Sequence, residues 1–116
     1  MLVGPSRLGK TVWARSLGTH VYLNGRWCVD AVRTDARYII FDDMPYSYIP
    51  KGFVGGQRSF VVTGKYRAPR IIEWGRPCII LCNGDMDPLN DLHYGTPERE
   101  WFDANTVYVK MERPLF

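Results

Sequence analysis

The octapeptide GPSRLGKT at residues 4–11 constrains the fold of this chain more than any other segment. Its Gly4, Gly9, Lys10 and Thr11 satisfy the pattern G-x-x-x-x-G-K-[ST] of a phosphate-binding loop. In such a loop, backbone N–H groups wrap the phosphates of a nucleotide, and the partial positive charge at the start of the next helix adds to the attraction. The sequence therefore predicts a short strand before residue 4 and a helix over residues 11–18, ending at Gly18.

The residues of this loop have distinct predicted roles. Lys10 is expected to reach the β- and γ-phosphates, and Thr11 is expected to place its hydroxyl on Mg²⁺. The residues predicted to contact ATP are Gly4, Pro5, Ser6, Arg7, Leu8, Gly9, Lys10 and Thr11. The alternative is a chance match in a glycine-rich turn, which the helix-forming residues after the loop and the apolar residues before it disfavour.

Two carboxylates follow an apolar segment, YIIFDD, at residues 38–43. The apolar run is typical of a buried parallel strand, and an apolar strand that ends in an acid is the Walker B pattern. Asp42 is expected to bind Mg²⁺, directly or through a water, and Asp43 is expected to polarise the attacking water as a base. The alternative is a strand end followed by an acidic turn, which the preceding phosphate loop makes the weaker interpretation.

A third polar strand end is Asn83, which follows the apolar segment CIILC at residues 78–82. An amide at this position can hydrogen-bond both the γ-phosphate and the lytic water, although a strand followed by Asn-Gly alone indicates only a turn. Strands that alternate with helix or loop predict an α/β fold with a mostly parallel sheet, whose ligands bind outside the carboxyl ends of the strands. The predicted catalytic residues are Lys10, Asp42, Asp43 and Asn83.

A basic segment, TGKYRAPR at residues 63–70, lies inside a stretch that reads as two short strands over residues 59–75. Its Lys65, Arg67 and Arg70 surround Tyr66 in the sequence. Cations interleaved with an aromatic ring suit single-stranded nucleic acid, because the cations bind the phosphates and the ring stacks on a base. The sequence therefore predicts a β-hairpin that binds DNA through Lys65, Tyr66 and Arg67. The alternative is a solvated basic turn.

Composition limits the other classes of function. The chain has 116 residues, which is enough for one domain over residues 1–116. Its net charge of +3 is a weak indication of an anionic partner.

Cys78 and Cys82 would lie roughly 13 Å apart along a strand, too far to share a metal ion, so both are expected in the core. Three cysteines favour a reducing compartment. The longest apolar run is too short to cross a bilayer, and no signal peptide is visible, so no membrane partner is expected.

The order of these motifs resembles one family. GPSRLGKT, IIFDD, GGQRSF with TGKYRAP, and IILCN resemble the superfamily 3 helicase domain of viral rolling-circle replication initiators. The segments WARSLG and ANTVYVKMERPLF are similar to the initiators of geminiviruses and genomoviruses in particular. The resemblance covers nearly the whole chain and includes four motifs in the same order.

The resemblance implies a P-loop NTPase fold of the AAA+-like type with a β-hairpin insertion. It implies a DNA helicase that hydrolyses ATP with Mg²⁺ and translocates on single-stranded DNA in the nucleus of the infected host cell. Thr11 and Asp42 would hold the Mg²⁺, and Lys65 matches the basic residue of the DNA-contacting hairpin. Family members form homo-oligomers in which an arginine of the neighbouring subunit completes the ATP site. Arg99 is one candidate for that arginine; the alternative is that Arg99 is only a surface arginine on a helix.

This sequence also departs from the family pattern. The nicking domain, with its His-x-His motif and tyrosine nucleophile, is absent, and His20 and His93 are isolated, so no nuclease metal site is predicted. The oligomerisation helices and most of the strand before Gly4 are absent too, so the chain is expected to be the C-terminal portion of a longer initiator with a truncated first strand. Two alternatives stay open: a nucleotide- or DNA-binding fragment without catalysis, and a small P-loop kinase.

Overall fold

A computed structural model describes residues 1–5, 9–33, 35–62 and 69–113 of the chain. Within these ranges the strands are β1 (Leu2–Val3), β2 (His20–Asn24), β3 (Tyr38–Asp42), β4 (Ser59–Val62), β5 (Arg70–Glu73), β6 (Cys78–Cys82) and β7 (Val109–Lys110). The helices are α1 (Lys10–Arg15), α2 (Lys51–Val54) and α3 (Pro97–Asn105). None of the helices in these ranges has the length and apolar character needed to cross a membrane.

Five strands form one sheet in the order β2-β3-β6-β1-β7, and every neighbouring pair in it is parallel. β1 lies between β6 and β7 although it has only two residues, with Leu2 opposite Leu81 and Val3 opposite Cys82. The predicted α/β fold with a mostly parallel sheet and a short first strand is therefore confirmed. Because all five strands run the same way, their carboxyl ends share one edge of the sheet.

β4 and β5 form a separate antiparallel pair, which confirms the predicted hairpin strands. Val62 and Ile72 are buried against the main sheet, whereas Val61 and Ile71, which are paired across the two strands, are exposed on the other face. The basic residues 63–68 between the two strands lie outside the described residues.

The alternation of β3 divides the core between the two faces of the sheet. Tyr38 and Ile40 face α1, where they pack with Ala14 and Leu81. Ile39 and Phe41 face the opposite side, where the larger cluster contains the hairpin residues and the fully buried Phe53 of α2.

Phe53 is the centre of an aromatic cluster on that larger face. Its ring centroid lies 5.4 Å from that of Phe41, 4.9 Å from that of Phe60 and 5.7 Å from that of Trp74, all at steep interplanar angles. Edge-to-face contacts of this kind stabilise aromatic pairs beyond the area that they bury. Gly52 is required beside this cluster, since a Cβ there would lie 2.2 Å from Cγ of Phe60.

The end of α1 differs from the sequence prediction, and a cap fixes the start of α3. α1 ends at Arg15 rather than at Gly18, because both the backbone N–H and the hydroxyl of Ser16 bond to the carbonyl of Trp13 and tighten the last turn. α3 begins at Pro97, where Thr96 caps it and accepts a hydrogen bond from the backbone N–H of Arg99.

Candidate functional site

Three chain segments meet at the carboxyl ends of β1, β3 and β6. The backbone N–H of Gly4 donates to the carbonyl of Cys82 at 3.1 Å, and the N–H of Asp43 donates to the carbonyl of Leu81 at 3.1 Å. These two bonds tie the start of the glycine-rich loop and the end of β3 to the same strand. A cavity of about 350 Å³ opens there, lined by Gly9, Lys10, Thr11, Val12, Asp42, Asp43, Cys82 and Asn83.

Lys10 is a buried cation in this cavity, with 8% of its surface exposed. Its Nζ donates to the carbonyl oxygens of Gly4 at 2.8 Å and Pro5 at 2.6 Å. The ion pairs of the described residues do not include it, and its hydrogen bonds there go to carbonyl oxygens. A buried cation without a carboxylate partner favours an anion as its ligand, because an uncompensated buried charge is costly.

Asp42 receives two hydrogen bonds on a single oxygen. The hydroxyl of Thr11 donates to Oδ2 at 2.9 Å, and the hydroxyl of Tyr22 donates to the same atom at 2.5 Å. The predicted partners Thr11 and Asp42 are thus brought together across 31 positions of sequence. Burial, followed by the bond to Asp42, raises the pKa of Tyr22, so its hydroxyl stays protonated and donates at neutral pH.

Asp43 turns the chain away from β3 in the left-handed region, with φ of 52°. It is the only non-glycine residue of the described ranges with a positive φ. Asp and Asn tolerate this conformation better than most residues, and unusual backbone geometry concentrates at functional sites. The turn leaves the Asp43 side chain exposed at the cavity, opposite Asn83, which follows β6 and lines the same space.

The oxygen donors of Thr11 and Asp42 fit Mg²⁺, which binds through one or two protein oxygens and keeps waters and phosphate oxygens as its other ligands. Within residues 1–5, 9–33, 35–62 and 69–113, no three His, Cys, Asp or Glu residues come together as a metal-binding group. The site therefore suits a metal that arrives with phosphate ligands rather than a metal held by protein alone.

Of the two cysteines of β6 that were predicted to lie in the core, Cys82 is buried and Cys78 is half-buried against the larger cluster. Cys82 is buried in the wall of the cavity, and burial raises the pKa of its thiol to about 11. Burial likewise raises the pKa of Cys78 to about 12. Both thiols are therefore protonated and unreactive near neutral pH, as structural core cysteines are.

Arg99 has its partners within its own chain. Its Nε lies 3.0 Å from Oδ1 of Asp103, its Nη1 donates to the carbonyl of Leu92 at 3.1 Å, and its guanidinium lies 4.0 Å from the ring centroid of Tyr94. These contacts hold α3 against the preceding loop. Arg99 is buried, so it is not the surface helix arginine of the alternative interpretation, and its role in a neighbour's site stays a prediction.

The predicted DNA-binding residues Lys65, Tyr66 and Arg67 lie outside the described residues, as do Ser6, Arg7 and Leu8 of the loop. Arg70, at the start of β5, donates from Nη1 to Oδ1 of Asp30 at 2.7 Å. The bond joins the start of β5 to the segment after β2, and both side chains are about half exposed.

One site residue was missed by sequence reasoning, namely Tyr22. Its signal was the alternation of β2, which places Tyr22 and Asn24 on one face, next to the strand that ends in Asp42. That signal becomes specific only once β2 is known to pair with β3 in parallel.

Comparisons with known proteins give one consistent result. The chain is 43% identical over 108 residues to the "Replication-associated protein" of Tobacco yellow dwarf virus. This alignment covers 91% of the chain and 32% of that protein. It is 41% identical over 113 residues to the same-named protein of Maize streak virus genotype B, and this alignment covers 95% of the chain and 31% of that protein. It is 42% identical over 110 residues to the same-named protein of Bean yellow dwarf virus, and this alignment covers 91% of the chain and 32% of that protein. The chain spans about a third of the length of these relatives. No family model matches it.

Proposed function

We propose that this chain is the ATP-hydrolysing helicase core of a viral replication initiator that moves on single-stranded DNA. The chain is homologous to the replication-associated proteins of geminiviruses over about one third of their length. The observation that carries the proposal is the convergence of Lys10, Thr11, Asp42, Asp43 and Asn83 around one cavity, from three segments far apart in sequence. Its position outside the carboxyl ends of parallel strands is where open α/β sheets bind ligands, and it supports a P-loop NTPase fold.

The proposed chemistry assigns each side chain one task. Lys10 releases the carbonyls of Gly4 and Pro5 and binds the β- and γ-phosphates, since phosphate oxygens compensate its charge better than carbonyl dipoles do. Thr11 and Asp42 would hold Mg²⁺, which when bound would neutralise the charge that develops on the phosphates. Asp43 orients and polarises the attacking water, and the Asn83 amide contacts the γ-phosphate.

The proposed DNA contact is the segment between β4 and β5. Lys65 and Arg67 would bind the phosphates of a single strand, and Tyr66 would stack on a base. The two strands that flank this segment are fixed on the core through Val62 and Ile72, which supports its use as a DNA contact. We further propose that the longer protein forms homo-oligomers with ATP between the subunits. We also propose that it acts in the host cell nucleus. The resemblance of the motifs to the family supports the oligomers and the location alike.

The test of the proposal is steady-state ATP hydrolysis by the purified chain with and without single-stranded DNA. We expect Mg²⁺-dependent turnover that rises when single-stranded DNA is added, because the proposed DNA contact at residues 63–68 and the nucleotide site would belong to one domain. Circular dichroism on the same sample establishes that the chain is folded. A folded chain that binds DNA in a salt-sensitive manner but shows no turnover would contradict the motor and would favour a binding fragment without catalysis.

Lys65→Ala is expected to weaken binding to a single-stranded oligonucleotide several-fold while leaving ATP affinity unchanged. Loss of one phosphate contact lowers the slope of log affinity against log salt by about 0.7 for a single strand. Fluorescence anisotropy with a labelled oligonucleotide at several salt concentrations measures both quantities. Lys110→Ala, which removes an exposed lysine of β7, is the matched control. Equal effects of the two variants would mean that Lys65 contributes only general charge.

A further inference from the structure

A line of polar contacts runs along the α1 face of the sheet and ends at Asp42. In the parallel register of β2 and β3, Asn24 lies opposite Asp42 and Tyr22 lies opposite Ile40. Nδ2 of Asn24 donates to the hydroxyl oxygen of Tyr22 at 3.1 Å, and that hydroxyl donates to Oδ2 of Asp42 at 2.5 Å. The phenol is therefore an acceptor on one side and a donor on the other, so its O–H direction is fixed.

The Tyr22 ring is itself held in place from the helix side. The guanidinium of Arg15, in the last turn of α1, lies 4.4 Å from the ring centroid. A cation over an aromatic face at this distance is attractive and restricts the ring. α1 thus contacts the Asp42 carboxylate twice: directly through Thr11, and indirectly through Arg15 and Tyr22.

The two donors to Asp42 act on the same atom, and this restricts the carboxylate. Thr11 and Tyr22 both bond to Oδ2, whereas Oδ1 accepts no hydrogen bond from the described residues. Two bonds on one oxygen oppose rotation of the carboxylate and leave the second oxygen free for another ligand. Partners that orient a ligating carboxylate in this way typically change metal affinity 10–100-fold when they are removed.

We propose that Tyr22 is a positioning residue for the metal at this site: its hydroxyl holds the Asp42 carboxylate in the orientation that binds the divalent ion of a nucleotide–metal complex. The inference rests on the proposed function and adds to it a residue outside the four motifs. Tyr22 does not touch the nucleotide in this assignment; it acts only through Asp42.

The test compares Tyr22→Phe with Tyr38→Phe in the full chain. Both variants lose one hydroxyl on the same face of the sheet, since the Tyr38 hydroxyl donates to the carbonyl of Ala14 at 2.5 Å, away from Asp42. A fluorescent ATP analogue is bound at increasing Mn²⁺ concentration, and its affinity is measured separately in EDTA. Thermal unfolding of each variant is followed by circular dichroism.

Tyr22→Phe is expected to raise the Mn²⁺ concentration for half-maximal nucleotide binding about 10-fold, with metal-free affinity changed less than twofold. Tyr38→Phe is expected to lower the unfolding temperature without moving the Mn²⁺ requirement. An unchanged Mn²⁺ requirement in Tyr22→Phe, or equal shifts in both variants, would overturn the positioning role and leave the proposed function standing. Absence of metal-dependent nucleotide binding in the parent chain would overturn the proposed function and this inference together.

Discussion

Asp43→Asn is expected to lower kcat for ATP hydrolysis by about 10²–10⁴-fold while the affinity for ATP changes little. The substitution removes the charge that polarises the attacking water and keeps a side chain of the same shape. Asn also suits the left-handed backbone at this position, where φ is 52°, so the turn after β3 is preserved. Ala would not give so clean a comparison, because it adds backbone strain to the loss of the carboxylate.

The measurement is single-turnover hydrolysis with saturating ATP and Mg²⁺, beside a binding titration with a fluorescent analogue. Asp85→Asn is the matched control, since Asp85 is an exposed carboxylate on the loop after β6 and does not line the cavity. Turnover in Asp43→Asn at the parent rate would remove Asp43 from the catalytic set. Loss of binding together with turnover would instead assign it a role in holding the nucleotide.

Lys10→Ala is expected to weaken ATP binding about 100-fold, the second largest effect. A hydrogen bond to a charged partner contributes about 1.5–3 kcal/mol, and Lys10 is proposed to make such bonds with two phosphates. At the lower end of that range, the loss of both costs about 3 kcal/mol, which corresponds to roughly 100-fold in affinity. The variant also loses the bonds from Nζ to Gly4 and Pro5, and a lower unfolding temperature is expected from that alone.

Isothermal titration with ATP and Mg²⁺ measures this effect, with unfolding followed on the same samples. Lys51→Ala is the control, because Lys51 is an exposed lysine whose ammonium lies 5.5 Å from the Trp101 ring, outside the cavity. ATP affinity that survives in a folded Lys10→Ala chain would contradict the assignment of residues 4–11 as a phosphate-binding loop.

The convergence of Asp42 and Asn83 could be predicted from sequence, because both follow apolar strands and parallel strands bring their carboxyl ends to one edge of a sheet. The early end of α1 could not, because it depends on the local competition of the Ser16 hydroxyl for the Trp13 carbonyl. Tyr22 could not either, because its contact with Asp42 depends on the register of β2 against β3, which the intervening residues do not encode locally.

The fit of Gly52 against Phe60 has a mechanical consequence. The Phe60 ring occupies the space that any side chain at position 52 would need, and Val62 and Ile72 continue the same buried surface. Tilting β4 and β5 away from this surface would open a gap in the close-packed core, so these two strands are expected to move with the main sheet. If residues 63–68 contact a DNA strand, as we propose, a force on that strand would be transmitted through β4 and β5 to the main sheet. Under the proposed translocation, each step along DNA would then move the whole sheet together with β4 and β5.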